Sequence, residues 1–162
     1  MADDHNMTRC SVKRLIFPGL ILCLLASAAE AQRSIGFSDY EVPDGGVLAV
    51  PALANEAGEL LLDGVLADVD ARTGGRLAAA LAEAGFSGAD EATLTLYGLG
   101  PYSRIDVIGL GQGPLDRLAA EDFGGLAAGL NDRSRGGTLR LLWNGSGEGA
   151  GADRVAFGFR LG

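Results

Sequence analysis

Residues Tyr102–Pro114 read YSRIDVIGLGQGP, and the interpretation of this stretch decides the fold. The apolar segment Ile105–Leu110 is typical of a buried strand. Three glycines at alternate positions lie around the end of this strand: Gly109 is within it, and Gly111 and Gly113 follow it. A dinucleotide-binding turn needs G-x-G-x-x-G between a strand and a helix, but the third position after Gly111 is Pro114. We therefore interpret these glycines as a tight strand-to-helix turn.

The apolar pattern on either side of this stretch predicts a mixed α/β domain, with helices covering a sheet. Asp63 is a candidate helix N-cap and Gly85 a candidate C′ residue. The predicted strands Thr93–Tyr97 and Ile105–Leu110 are separated by only a short segment of chain, so we expect them to form a hairpin or an adjacent pair. The predicted order is β, α, α, β, β, α, β, α: a strand at Val47–Val50 ended by Pro51, two helices between Asp63 and Phe86 broken at Gly74-Gly75, strands at Thr93–Tyr97 and Ile105–Leu110, a helix at Leu115–Leu130, a strand at Thr138–Trp143 and a helix at Asp153–Leu161.

The N-terminal segment predicts a secretory signal peptide. A polar stretch with basic residues precedes the apolar run Leu15–Ala28, and Ala29–Ala31 has the small-x-small form of a cleavage site. A membrane anchor is the alternative, but the run is shorter than the ~20 residues a span needs, and Pro18 interrupts it. We expect residues 1–31 to be removed, the product to be periplasmic or secreted, and no stable membrane anchor to remain. Residues 32–46 are then a lead-in segment and 47–162 the domain.

The residue types left after this cleavage exclude several reaction classes. Gln32–Gly162 contains no Cys, His or Lys. It therefore lacks the residues for a nucleophile activated by histidine and for a zinc site of the usual kind. It also lacks the lysine that a Walker-type phosphate-binding loop or a Schiff base requires. The formal net charge of the chain is −8, which also disfavours nucleic-acid binding.

The remaining polar features have simple structural interpretations, so we predict no catalytic, cofactor-binding or metal-binding residue. The glycine-rich segment Asn144–Gly151 could hold an anion through backbone amides, but Glu148 argues for a surface loop. Asp63, Asp68 and Asp70 are interpreted as a cap and solvated helix charges. The pair Glu121-Asp122 lies in the early turns of its helix, where negative charge complements the helix dipole. Arg133 and Arg135 are interpreted as solvated loop charges.

In its order and spacing, the span from about Val47 to Gly162 resembles the N-terminal domain of the leucyl aminopeptidase (cytosol aminopeptidase) family. The segments that carry the resemblance are LLLDGVLADVDARTGGRLAAALAEAGFSGADEATLTLYG, RIDVIGLGQGPLDRLAAEDF and RVAFGFRLG. The resemblance implies a macro-domain-like mixed sheet flanked by helices. It also implies that two divalent metals, zinc or manganese, belong to a separate catalytic domain with a motif of the type N-T-D-A-E-G-R. No such motif occurs in this chain.

The resemblance implies a non-catalytic, structural or assembly domain, and we expect no activity from this chain alone. Full-length relatives would remove N-terminal amino acids from peptides. The implied partners are further copies of the chain or an aminopeptidase catalytic domain. Two alternatives stay open: a free-standing macro-like module that binds a nucleotide or ADP-ribose, and an interaction protein that docks onto a full-length aminopeptidase.

Overall fold

The computed structural model of the chain describes residues 34–134, 137–145 and 151–162. The predicted signal peptide, Arg135 and residues 146–150 of the glycine-rich loop lie outside these ranges. The elements are β1 Gly46–Ala54, β2 Leu60–Leu61, α1 Gly64–Thr73, α2 Arg76–Glu83, β3 Thr93–Leu99, β4 Tyr102–Gly109, α3 Arg117–Arg133, β5 Arg140–Leu141 and α4 Ala152–Leu161. The prediction of a mixed α/β domain is confirmed, with the short β2 added.

The five strands form one mixed sheet in which β1 is central. The strand order is β2-β1-β4-β3, and β5 also pairs with β1. β1 runs parallel to β4 and β5 and antiparallel to β2. β3 and β4 form the predicted antiparallel hairpin, with Leu99 opposite Tyr102 at its turn.

The prediction that Pro51 ends the first strand is wrong, because β1 continues to Ala54. The carbonyl of Ala49 accepts from Leu142 on the β5 side, and alternation along a strand points the Pro51 nitrogen to the same side. Pairing with β5 stops at Ala49 and pairing with β2 starts at Leu53. The missing N–H of Pro51 therefore lies in the gap between two partner strands, where the ladder does not need it.

One face of the sheet packs against α1 and α2. Both helices end as their sequence predicts: Gly74 and Gly85 have positive φ, and the amide of Phe86 returns to the carbonyl of Leu81, as in a Schellman motif. The main apolar residues of this core are Leu48, Val50, Val65, Leu66, Val69, Leu77, Leu81, Ile105 and Val107.

The opposite face packs against α3 and α4, and these two helices approach each other through glycine. A methyl group at Gly124 would overlap the backbone of Val155 and Phe159, and one at Gly158 would overlap the carbonyl of Glu121. The core here contains Ala49, Ile108, Ala120, Phe123, Ala127, Val155 and Phe159, with the Trp143 ring 5.5 Å from the Phe123 ring. The sheet thus lies between two helical layers.

Candidate functional site

The glycine-rich exit of β4 uses its backbone amides within the protein. The amides of Gly109, Leu110 and Gly111 donate to three carbonyl oxygens, those of Ala92, Ala52 and Gly88. Gly111 has a φ of +67°, and a methyl group at Gly109 would overlap the carbonyl of Ala89. Because these donors already have partners, this turn cannot offer them to a phosphate. The geometry supports the interpretation of a strand exit.

The three carboxylates near α1 do not converge. Asp63 occupies the N-cap position without a side-chain cap hydrogen bond. The Asp68 carboxylate accepts from the Tyr40 hydroxyl at 2.6 Å, and Asp70 accepts from the Ala78 amide at 2.8 Å. Asp70 therefore caps the first turn of α2, although it belongs to α1. Sequence reasoning interpreted Asp68 and Asp70 as solvated charges. Asp68 is exposed, although it also binds Tyr40, whereas Asp70 is only partly exposed and acts as a cap.

The acidic pair on α3 has two different surroundings. Glu121 lies 3.4 Å from Arg117 and 3.7 Å from Arg154 of α4, so it links the two helices. Burial raises the pKa of Asp122, and the nearby carboxylates, first Asp90 and then Glu121, raise it further. Among the described residues, no three His, Cys, Asp or Glu side chains are grouped so that they could hold a metal ion.

A buried ion pair in β4 is the polar feature that sequence reasoning missed. Arg104 and Asp106 are two residues apart and share the face toward α3, with Nε and Oδ2 3.1 Å apart. The angle is unfavourable for a hydrogen bond between these two atoms. Thr95 donates to the other Asp106 oxygen at 2.8 Å, and Arg104 Nη2 lies 3.4 Å from Asn131 Oδ1. Opposite charges at i and i+2 of an apolar strand were the available signal.

The lead-in segment before β1 is mostly exposed, but it contacts the rest of the fold at a few positions. Val42 is buried in the core beside α1. Besides the Tyr40–Asp68 bond, Arg72 forms an ion pair with Asp44, and the Tyr102 hydroxyl donates to the carbonyl of Pro43 at 2.9 Å.

Two tyrosine hydroxyls at this contact stay protonated to a higher pH than usual. Burial, followed by the hydrogen bond to Asp68 and the charge of that carboxylate, raises the pKa of Tyr40. Burial also raises the pKa of Tyr102. Both groups therefore favour the neutral form, in which they donate their hydrogen bonds.

An open groove of about 980 Å³ separates the lead-in from the β5 region and α4. Its lining mixes apolar side chains with charged ones, among them Ile35, Asp39, Leu139, Arg140 and Phe159. The charged residues of its lining are Asp39, Glu41, Asp44 and Arg140, and the lining includes no histidine, cysteine or lysine.

Comparison with known proteins identifies what this fold is similar to. The family model of the cytosol aminopeptidase family, N-terminal domain, matches residues 49–156. A solved structure of a mutant of tomato leucine aminopeptidase superposes with a TM-score of 0.56 at 25% sequence identity, covering 73% of this chain and 25% of the tomato chain. No curated protein sequence matches. The chain thus spans about a quarter of the length of the tomato protein.

The prediction of export is wrong, because the matched family is the cytosol aminopeptidase family. It rested on the composition of residues 1–31, which lie outside the described residues. An apolar run of this length is compatible with a signal peptide but does not by itself define one. In the ranges that the structure describes, no helix has the length and hydropathy needed to cross a bilayer.

Proposed function

Because this chain belongs to the cytosol aminopeptidase family through that family's N-terminal domain, we propose that it is the non-catalytic, structural part of a leucyl aminopeptidase-type protein. Its role is assembly with a catalytic domain or with further copies of itself. The peptide-cleaving activity belongs to the complete protein, which releases N-terminal amino acids.

One observation carries this proposal: the polar groups that sequence analysis selected bind other parts of the fold. The amides after β4 bind backbone carbonyls, Asp70 caps α2, and Glu121 lies between two arginines. A catalytic site needs several such groups directed at one point, where a substrate lies. These groups instead join neighbouring elements, as expected of a scaffold.

The two divalent metals of the family do not fit the described residues of this chain. Those metals polarise a carbonyl group and activate water, which requires several convergent oxygen or nitrogen ligands. Asp68 and Asp70 are each bound to a different partner, and Asp106 is paired with Arg104. We therefore assign no metal to this domain and derive no catalytic step from it.

We propose further that the domain has a macro-like architecture and extends over residues 47–162, with 32–46 as its lead-in. The mixed sheet between two helical layers supports the architecture. The ion pair of Asp44 with Arg72 supports a lead-in that stays attached to the domain.

The test is an activity and association assay on the purified chain. We expect no hydrolysis of a leucyl anilide above the blank, with or without added manganese or zinc. Copurification of a separate leucyl aminopeptidase, identified by mass spectrometry, with the tagged chain from its natural host would favour the alternative of an interaction protein that docks onto a full-length enzyme. Metal-dependent hydrolysis by the pure chain would overturn the non-catalytic assignment.

A calorimetric titration with ADP-ribose separates this proposal from the binding-module alternative. We expect no saturable heat, because the amides of Gly109, Leu110 and Gly111 already donate to backbone carbonyls. Saturable binding that Gly111→Ala abolishes would favour the alternative instead.

A further inference from the structure

The outer edge of β3 is a strand edge without the usual protection. In the described part of the chain β3 pairs with β4 alone, at the end of the sheet. The residues Thr93–Tyr97 read TLTLY and include no charge and no proline. Their register with β4 is unbroken from Thr93 opposite Ile108 to Tyr97 opposite Arg104. Natural edges are usually blocked by charges, prolines or bulges.

The ladder shows which backbone groups this edge offers. Gly109 donates to the carbonyl of Ala92, and these two residues continue the register of the hairpin. Backbone direction alternates along a strand, so Leu94 and Leu96 also face β4. The N–H and C=O groups of Thr93, Thr95 and Tyr97 therefore face outward.

We propose that this edge pairs antiparallel with the same edge of a second copy of the chain, around a two-fold axis at Thr95. Thr95 then lies opposite Thr95 of the other copy, and Thr93 lies opposite Tyr97 on both sides. Each of these pairs exchanges two backbone hydrogen bonds. A contact that satisfies the same groups on both copies is the self-complementary contact that two-fold symmetry requires.

Side chains and charge favour a second copy as the occupant. Tyr97 is 72% exposed, and the pairing places its ring beside Thr93 of the other copy, a favourable aromatic–β-branched pair. The chain has a net charge of −8, so copies repel each other over most of their surface. The uncharged segment Thr93–Tyr97 allows close approach without placing like charges opposite one another.

This inference deepens the assembly role proposed above, and its test does not depend on activity. Sedimentation equilibrium of the full chain should show a mass that rises with concentration from one chain toward two. Hydrogen exchange should slow with concentration at the amides of Thr93, Thr95 and Tyr97. The amides of Leu94 and Leu96, already in the ladder, should not change.

Two edge variants and one control test the location of the contact. Thr93→Pro removes an outward donor, and Tyr97→Lys places a charge on the edge; both should remain monomeric. Leu118→Lys adds the same charge at an exposed site on α3 and should dimerise as the parent does. A parent that stays monomeric overturns the proposal. A dimer that survives both edge variants, or slowed exchange without the alternating pattern, overturns it as well.

Discussion

Substituting alanine for glycine should have opposite effects at two positions of α3. Gly124 and Gly129 both lie inside this helix, and neither has a positive φ. A methyl group at Gly129 would meet no atom within 4 Å, whereas one at Gly124 would overlap the backbone of α4. The pair thus separates intrinsic helix propensity from interhelical packing.

The magnitudes follow from these two surroundings. Alanine is favoured over glycine inside a helix by about 1 kcal/mol, so Gly129→Ala should stabilise the domain by about that amount. At Gly124 the same gain is opposed by overpacking, which typically costs about 1–3 kcal/mol. The atoms of Val155 and Phe159 that would be overlapped are backbone, so we take the upper end. Gly124→Ala should then destabilise by about 2 kcal/mol, a gap of about 3 kcal/mol between the variants.

Urea unfolding followed by circular dichroism measures this gap. With m-values of about 1–3 kcal/mol/M for small proteins, the two midpoints should differ by about 1 M or more, on opposite sides of the parent. Gly158→Ala, which would overlap the Glu121 carbonyl from the other helix, should behave like Gly124→Ala. If Gly124→Ala is as stable as Gly129→Ala, the close approach of α3 and α4 is not real and the reasoning fails.

Three further predictions concern the polar contacts. Asp70→Ala should destabilise the domain by about 1 kcal/mol, because it removes the cap of α2. Asp63→Ala removes no cap hydrogen bond and should shift the urea midpoint less. Equal shifts would contradict the assignment of Asp70 as a cap. Arg104→Met leaves the buried Asp106 carboxylate without its charge partner and should destabilise the domain by about 3–5 kcal/mol. Adding Asp106→Leu should recover much of this stability. If a double-mutant cycle shows no coupling, the two side chains do not form an interacting pair. The pKa of Tyr40 is raised in the folded state. The contribution of its hydroxyl to folding stability is therefore complete below the ordinary tyrosine pKa of about 10, and it is lost as the pH rises through the higher pKa of the folded state. As the pH rises above ~10, the free energy of unfolding of Tyr40→Phe should therefore fall less than that of the parent. If the two curves of unfolding free energy against pH are parallel, this prediction is refuted.

Most of the architecture could be predicted because its signals are local. Gly85 marks a helix end through its left-handed conformation, and Asp63 lies at the N-cap position that its residue type favours, although its side chain makes no cap hydrogen bond. The apolar periods of β3 and β4 indicate the hairpin. The continuation of β1 past Pro51 could not be predicted, because it depends on where two partner strands begin and end. The missing N–H of Pro51 loses no hydrogen bond only because it faces the gap between β5 and β2, and that gap exists only in the assembled sheet.

The polar contacts were less predictable for the same reason. Asp70 caps a helix other than its own, and Asp68 binds Tyr40, 28 residues away. Such partners are set by tertiary packing, which a one-dimensional charge pattern does not contain. Arg104 and Asp106 show the one available signal, two opposite charges on one face of an apolar strand. That signal does not show that the two charges are buried, because their burial depends on α3 covering this face of β4.

The central position of β1 has a consequence for how the chain acquires its fold. Its parallel neighbours come from far along the chain: Leu48 pairs with Ile105 and with Arg140. Contacts between residues so distant in sequence form slowly, since a long loop must close before they are made. We expect the α1–α2 pair and the β3–β4 hairpin to form first and β1 to be enclosed last, an order that pulsed hydrogen exchange during refolding would resolve. During synthesis, β1 must therefore wait for β4 to pair one of its edges and for Arg140–Leu141 to complete the other, which the nearby β2 pairs only at Leu53 and Ala54.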